Sequence, residues 1–246
     1  MEDILILIIS FAVLIIAGYS AKAIFWDMRK QRSFNADFLK RRSFKEVPEE
    51  KEHIKELIVA RDARIAFEKL VAPSSKMFKI VDCYKTTAGE KEIFFLTVSG
   101  FAQPTSLIES VYILAPLEKR KQDPFYVRLW SKTYGPGSSV YKSNKRIDAL
   151  DFGKIAKMNG REIFRSADLP DFEQVDFYGP TKEHPKNYLG STLFEMVRKC
   201  RENGIAEISC LDGLALFRIY SLTGVQKPGN VLTSPEKPYQ YILNYL

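Results

Sequence analysis

The distribution of apolar residues separates an N-terminal apolar segment from a longer region of strand and helix patterns. Residues 4–21, ILILIISFAVLIIAGYSA, carry no charge, and a run of this length is about what an α-helix needs to cross a bilayer core. A secretory signal would begin with basic residues and have a shorter apolar core, whereas this chain begins Met1-Glu2-Asp3. The pattern therefore predicts a transmembrane anchor in residues 1–26 that contacts the lipid bilayer through Ile4–Ala21.

A helical pattern begins at Pro48, which acidic residues follow, as is typical of a first helical turn. Apolar residues then recur at helical spacing: Ile54, Leu57, Ile58, Ile65 and Leu70. These positions predict an amphipathic helix over about 48–71. Two roles stay open for its apolar face, which either packs on the domain or binds a partner.

Strand patterns dominate the middle of the chain, and strands and helices alternate towards its end. Residues 77–84 and 91–100 flank a short turn that contains a glycine, which predicts a hairpin. The other predicted elements are strands at 110–117, 124–134, 172–179 and 205–211 and helices at 190–203 and 213–222. Together they predict an α+β fold with a mixed sheet, in a single globular domain over residues 48–246.

The formal net charge of +7 is concentrated beside the apolar segment. Residues 22–45 include eight basic and two acidic side chains, and the rest of the chain is close to neutral. Because basic residues beside a span favour its cytoplasmic side, the predicted single-pass topology has the N-terminus outside and the C-terminal domain in the cytoplasm. Residues 27–47 then form a basic juxtamembrane linker, and residues near Arg29–Arg42 are predicted to contact anionic lipid headgroups.

The sequence offers few residues for metal or redox chemistry. Its two histidines and three cysteines do not fall at ligand spacing, so no metal site is predicted. An odd number of cysteines also argues against a disulfide-stabilised extracellular domain. Aromatic and basic side chains interleave around Trp130, but the near-neutral globular region makes nucleic acid an unfavoured partner. That aromatic face remains an alternative docking surface for a protein.

One segment resembles a known family. In 187-NYLGSTLFEMVRKCRENGIAEISCL-211, a glycine precedes a helical pattern that runs into an apolar strand. The order of elements and the run Gly190-Ser191-Thr192-Leu193 resemble the coenzyme A-binding half of GNAT-type N-acyltransferases. Two positions depart from the family's motif, since Pro185 stands at its arginine and Tyr188 at its first glycine.

The resemblance implies an acyl-CoA site. A helix N-terminus with a glycine can hold a pyrophosphate through unpaired backbone amides. The implied cofactor-binding residues are Lys182, Lys186, Leu189, Gly190 and Ser191. The family's tyrosine, which protonates the departing thiolate, would correspond to Tyr220 on the predicted helix 213–222.

Two hypotheses about function follow. The first is a membrane-anchored, acyl-CoA-dependent N-acyltransferase, and the alternative is a non-enzymatic membrane-tethered module that binds a protein partner. The enzyme requires strands 172–178 and 205–211 to be parallel neighbours that splay apart above Gly190. If these strands are closed and Tyr188 fills the gap, the enzyme hypothesis loses its cofactor slot.

Overall fold

A computed structural model describes residues 2–61, 79–103, 106–117, 124–129, 155–166, 175–222 and 234–246. Its helices are α1 (Glu2–Arg41), α2 (Lys51–Arg61), α3 (Pro185–Lys199) and α4 (Glu236–Leu243), with 3₁₀ turns at Pro48–Glu50 and Arg201–Asn203. Its strands are β1 (Lys45–Glu46), β2 (Lys79–Ala88), β3 (Lys91–Gln103), β4 (Ser106–Pro116), β5 (Phe125–Leu129), β6 (Ile155–Met158), β7 (Arg161–Arg165), β8 (Val175–Gly179), β9 (Glu207–Leu211) and β10 (Leu214–Leu222).

The strands form one sheet in the order β1-β2-β3-β4-β10-β9-β5-β8-β7-β6. Each pairing of neighbours in this order is antiparallel. The predicted fold class, with its mixed sheet, was therefore wrong. The physical reason is local: tight turns join β2 to β3, β6 to β7 and β9 to β10, and a strand that follows such a turn runs antiparallel to its predecessor.

Two of these hairpins have the same kind of turn, and the second of them explains why the predicted helix 213–222 is a strand. Asn159-Gly160 joins β6 to β7 and Asp212-Gly213 joins β9 to β10, and all four residues have positive φ angles between 48° and 78°. Two successive residues with positive φ make the turn that matches the twist of a hairpin, and Asn-Gly or Asp-Gly is its usual sequence. The predicted helix 213–222 was wrong because this turn sends the chain back as strand β10.

The predicted transmembrane anchor was also wrong. Among the residues that the structure describes, no helix combines the length and the apolar composition needed to cross a membrane. The single-pass topology, with an outer N-terminus and a cytoplasmic domain, is corrected on the same finding. Helix α1 instead continues through residue 26 into the basic segment and ends at Arg41.

The first face of the sheet is covered by the C-terminal part of α1 together with α3 and α4. Phe38 of α1 is fully buried, and its ring centroid lies 5.8 Å from Phe44, 5.7 Å from Phe95 and 5.4 Å from Tyr239. Since these residues belong to α1, the chain just after it, β3 and α4, this aromatic cluster joins four parts of the fold.

The second face of the sheet is covered by α2. Ile54 and Ile58 of this helix are buried against apolar side chains of β2, β3, β4 and β10. The amphipathic pattern is therefore confirmed for Lys51–Arg61, whose apolar side packs on the domain. The rest of the predicted helix, from residue 62 to 71, lies outside the described residues.

We expect replacement of Phe38 by alanine to lower the free energy of unfolding by about 3–5 kcal/mol, because it leaves a cavity among three aromatic rings. Urea denaturation of the full chain measures this. Phe34→Ala, at a partly buried position one turn earlier in α1, is the matched control. An equal loss in both variants would show that the cluster has no special role.

Candidate functional site

All five predicted cofactor-binding residues lie within α3 or just before it, but they do not face one ligand. The side chains of Lys182, Lys186 and Ser191 are exposed. Leu189, in contrast, is only 2% exposed and belongs to the core on the first face. The sequence-predicted set is thus divided between solvent and the core.

Gly190 marks a kink within α3. Its backbone angles, φ 70° and ψ 169°, are non-helical, so a short helical segment from Pro185 meets a second segment that begins at Ser191. Residues other than glycine rarely adopt this conformation. The glycine therefore has a structural role at the kink between the two helical segments.

The start of α3 is capped by a side chain. Nδ1 of His184 accepts a hydrogen bond of 3.2 Å from the backbone amide of Lys186, and the imidazole lies 5.3 Å from the ring of Phe194. A side-chain acceptor at this position satisfies one of the amides that a helix start leaves unbonded. One of the amides in the predicted anion-binding turn is thus already used by His184.

The strand order closes the predicted acyl-CoA slot. Strands β8 and β9 are not neighbours, because β5 lies between them and pairs with both. In the register, Val127 of β5 is opposite Phe177 on one side and Ile208 on the other. Strands β8 and β9 are therefore not the parallel neighbours that the enzyme hypothesis requires, and the place of the cofactor gap is filled by a hydrogen-bonded strand.

Tyr188 occupies the space beside this part of the sheet. It is 5% exposed, its hydroxyl lies 3.3 Å from that of Ser166, and its ring packs at 5.9 Å against Phe177. A Cβ atom added at Gly179 would overlap the phenol of Tyr188, so the strand approaches the ring as closely as a glycine permits. Burial raises the pKa of Tyr188, and the phenol therefore stays neutral.

Tyr220 is placed on β10, where its backbone pairs with Val111 of β4. Its side chain lies outside the described residues. The expected geometry, with this tyrosine on a helix that follows β9, was wrong because β10 is a strand. The tyrosine implied by the resemblance thus lies on a strand in this chain, whereas the family's tyrosine lies on a helix.

The three cysteines are buried thiols, and no disulfide joins them. Burial raises the pKa of the Cys83 thiol to about 11, and burial also raises the pKa of Cys200. A thiolate is the nucleophilic form, so these two thiols are inert at neutral pH. No group of three or more histidine, cysteine or acidic residues that could hold a metal ion occurs within the described ranges.

A buried polar cluster on the second face was missed by the sequence analysis. Glu207 of β9 is 5% exposed and forms an ion pair with Arg218 of β10, with Nε and Oε2 2.7 Å apart. The hydroxyl of Tyr126 of β5 donates a hydrogen bond to the other carboxylate oxygen of Glu207. The sequence feature that could have predicted this cluster is the glutamate at the start of the apolar strand 207-EISCL-211. A charged side chain that is buried in such a strand requires a partner of opposite charge.

Arg61 joins α2 to this cluster. It is 4% exposed, and its guanidinium donates to the carbonyls of Leu57 at 2.8 Å, Leu211 at 2.9 Å and Leu214 at 2.9 Å. Leu211 and Leu214 flank the Asp212-Gly213 turn. The C-terminal end of α2 is thus fastened to the β9–β10 hairpin through charge-assisted hydrogen bonds.

A cavity of about 20 Å³ lies between α2 and the polar cluster. Its lining residues are Ile58, Arg61, Tyr112, Tyr126, Glu207, Ser209, Leu216 and Arg218. A space of this size accommodates one water molecule. The cavity is much smaller than the several hundred Å³ of a typical cofactor pocket. We therefore interpret the polar cluster as a structural connection between α2 and the sheet.

The most distinctive exposed feature is a surface of α1, which we call the α1 surface. It combines large exposed apolar side chains at Phe11, Leu14 and Ile15 with exposed basic side chains at Arg29, Arg32 and Lys40, which lie on one side of the helix at 100° per residue. The apolar members are between 48% and 68% exposed. Exposed apolar side chains that follow one another in this way are a common mark of an interaction site.

Comparison with known proteins adds no identification: no family model, curated protein or solved structure matches this chain. The resemblance to GNAT-type acyltransferases therefore stays a prediction, as does acyl-CoA as its cofactor.

We expect Arg61→Ala to lower the free energy of unfolding by about 2–4 kcal/mol, because it removes the two hydrogen bonds that join α2 to the hairpin and a third to Leu57 within α2. Arg161→Ala is the matched control at the same turn. Arg161 pairs with Asp212 at 3.2 Å, but both side chains are more than half exposed, so its loss should cost less than about 1 kcal/mol. Similar losses in urea denaturation would contradict a fastening role for Arg61.

The contact between Gly179 and Tyr188 is tested by a double-mutant cycle. Gly179→Ala should destabilise the chain by about 1–3 kcal/mol through overlap with the phenol. In the background of Tyr188→Leu, which shortens the facing side chain, the same substitution should cost clearly less. Strictly additive losses in urea denaturation would mean that the tyrosine does not fill this space.

Proposed function

We propose that this chain is a non-enzymatic binding domain, in which the antiparallel sheet and its packed helices present α1 to a partner. The observation that carries the proposal is the position of β5 between β8 and β9. An acyltransferase of the kind suggested by the sequence needs an opening at that point. The backbone groups that would line such an opening are engaged instead in pairing with β5.

The side chains around the predicted site support the same conclusion. Leu189 and Tyr188 belong to the core, and His184 already accepts the hydrogen bond of the Lys186 amide in the segment before Gly190. The buried acid Glu207 is paired with Arg218 and Tyr126 beside a cavity of water size. None of these groups has both the access and the open space that catalysis on an acyl donor requires.

The way in which α1 is held supports a binding role. Gln31, Asn35, Phe38 and Leu39 are buried where the C-terminal part of the helix packs on the sheet. Gln31 also donates a hydrogen bond of 3.0 Å to Asn35 one turn later. The apolar positions Ile9–Ile15 of the same helix are exposed. One end of α1 is thus fastened to the domain, and the other carries side chains that favour burial in a complex.

Thermal melting of the full chain with acetyl-CoA and with longer acyl-CoAs tests the proposal. We expect no change in Tm at millimolar ligand. A ligand present at 100 times its Kd would add roughly 2.7 kcal/mol to stability, which is a shift of about 5–11 °C for a domain of this size, since each 1 kcal/mol raises Tm by about 2–4 °C. The measurement is therefore sensitive enough to detect a working cofactor site.

The control for this experiment is the double variant Lys182→Ala/Lys186→Ala. Both side chains are exposed, so the variant keeps the fold and removes the two charges nearest to the predicted phosphate site. A shift with acyl-CoA that disappears in this variant would overturn the proposal and restore the acyltransferase hypothesis.

A further inference from the structure

We infer that the partner of the α1 surface is an anionic lipid surface, contacted through its headgroups. This inference rests on the proposed function, because it names what the presented helix binds. Residues 22–45 carry a net charge of +6, whereas the whole chain has a net charge of +7. Clustered arginine and lysine side chains are attracted to negatively charged headgroups.

The geometry of α1 directs these charges away from the domain. Its buried residues Gln31, Asn35 and Phe38 form one stripe that faces the sheet. At 100° per residue, Arg29 and Lys40 lie on the opposite side of the helix, and they are separated by about 17 Å along its axis. Both side chains are exposed, so they can approach one flat surface while the stripe stays packed.

Two neighbouring arginines already form contacts within the chain. Arg42 forms an ion pair with Glu236, and Nε of Arg41 donates to the carbonyl of Asp37 at 3.3 Å. Arg42 is thus committed to holding α1 against α4. Arg29 and Lys40 are the better test of headgroup contact, because both lie opposite the buried stripe.

The apolar part of the α1 surface decides between anionic partners. A free phosphate ion or a nucleic acid would be attracted to Arg29 and Lys40 alike, but neither offers an apolar region for Phe11, Leu14 and Ile15, which are exposed on the same side of α1. A lipid surface offers both, because an exposed apolar segment can bury itself at the boundary between headgroups and acyl chains. This contact takes place at the surface and involves no crossing of the bilayer.

Flotation of the full chain with vesicles tests the inference. We expect binding to vesicles of equal parts phosphatidylcholine and phosphatidylglycerol, and much weaker binding to vesicles of phosphatidylcholine alone. Raising the salt concentration should weaken the first interaction, because it screens the charges. Equal binding to the two kinds of vesicle, or binding to neither, would overturn the inference.

Two variants separate the contribution of the basic residues on α1 from that of the net charge of the chain. Arg29→Ala/Lys40→Ala should reduce the partition coefficient for anionic vesicles roughly 25-fold, since each basic residue near the surface contributes about fivefold. Lys182→Ala/Lys186→Ala removes the same amount of charge from exposed positions away from α1 and should leave binding almost unchanged. Equal losses in both variants would mean that net charge alone, and not the α1 surface, is responsible.

The apolar contribution has its own variant, Phe11→Asn/Leu14→Asn. It should weaken vesicle binding and leave the binding of inorganic phosphate or of a short oligonucleotide unchanged. Full vesicle binding in this variant would overturn the lipid assignment. So would lipid-independent self-association in sedimentation velocity that buries these residues, because the occupant would then be a second copy.

The two proposals fail separately. A shift in Tm with acyl-CoA that depends on Lys182 and Lys186 would remove the non-enzymatic assignment, whatever the vesicles show. Loss of vesicle binding without any effect of acyl-CoA would leave a binding domain whose partner is not lipid.

Discussion

The antiparallel pairing of β5 with both β8 and β9 is the constraint on which the rest of the fold depends. On the first face it completes a row of neighbouring side chains that crosses the sheet: Phe177, Val127, Ile208, Phe217, Ile113, Phe95 and Tyr84. Helices α1, α3 and α4 pack against the core that this row belongs to. Without β5 the row would be interrupted, and two strands would each leave a line of unbonded backbone groups in the interior, which is costly.

The same strand organises the polar cluster on the second face. Because side chains alternate between the two faces of a strand, the residue before Val127 points the other way, and Tyr126 meets Glu207. Arg218 on β10 completes the neutralisation of that carboxylate. Removing either partner would leave a buried charge, which usually costs several kcal/mol. The register of β5 therefore decides both how the apolar core is closed and whether Glu207 can be buried at all.

The sequence predicted the elements that depend on local patterns. The helix after Gly190, the hairpin of β2 and β3, and the buried positions of Ile54 and Ile58 all follow from periodicity and glycine placement. The Asp212-Gly213 turn was equally local, but the apolar run after it suited a buried helix as well as a buried strand. The insertion of β5 between β8 and β9 could not be predicted, because it joins segments about 50 to 80 residues apart. The geometry of the candidate site was the least predictable part, because the expected acyl-CoA slot depended on that strand order.

Burial of Phe38 and Leu39 also bears on how α1 can act. A helix whose C-terminal part is fixed against β3 and α4 cannot rotate about its own axis without dismantling an aromatic cluster. The outward direction of Arg29 and Lys40 is consequently set by the core, through the constant 100° between successive helical residues. A surface that binds these two residues must then lie along the side of α1 that faces away from the sheet. The stability of the core and the orientation of the binding surface are, for this reason, properties of the same few residues.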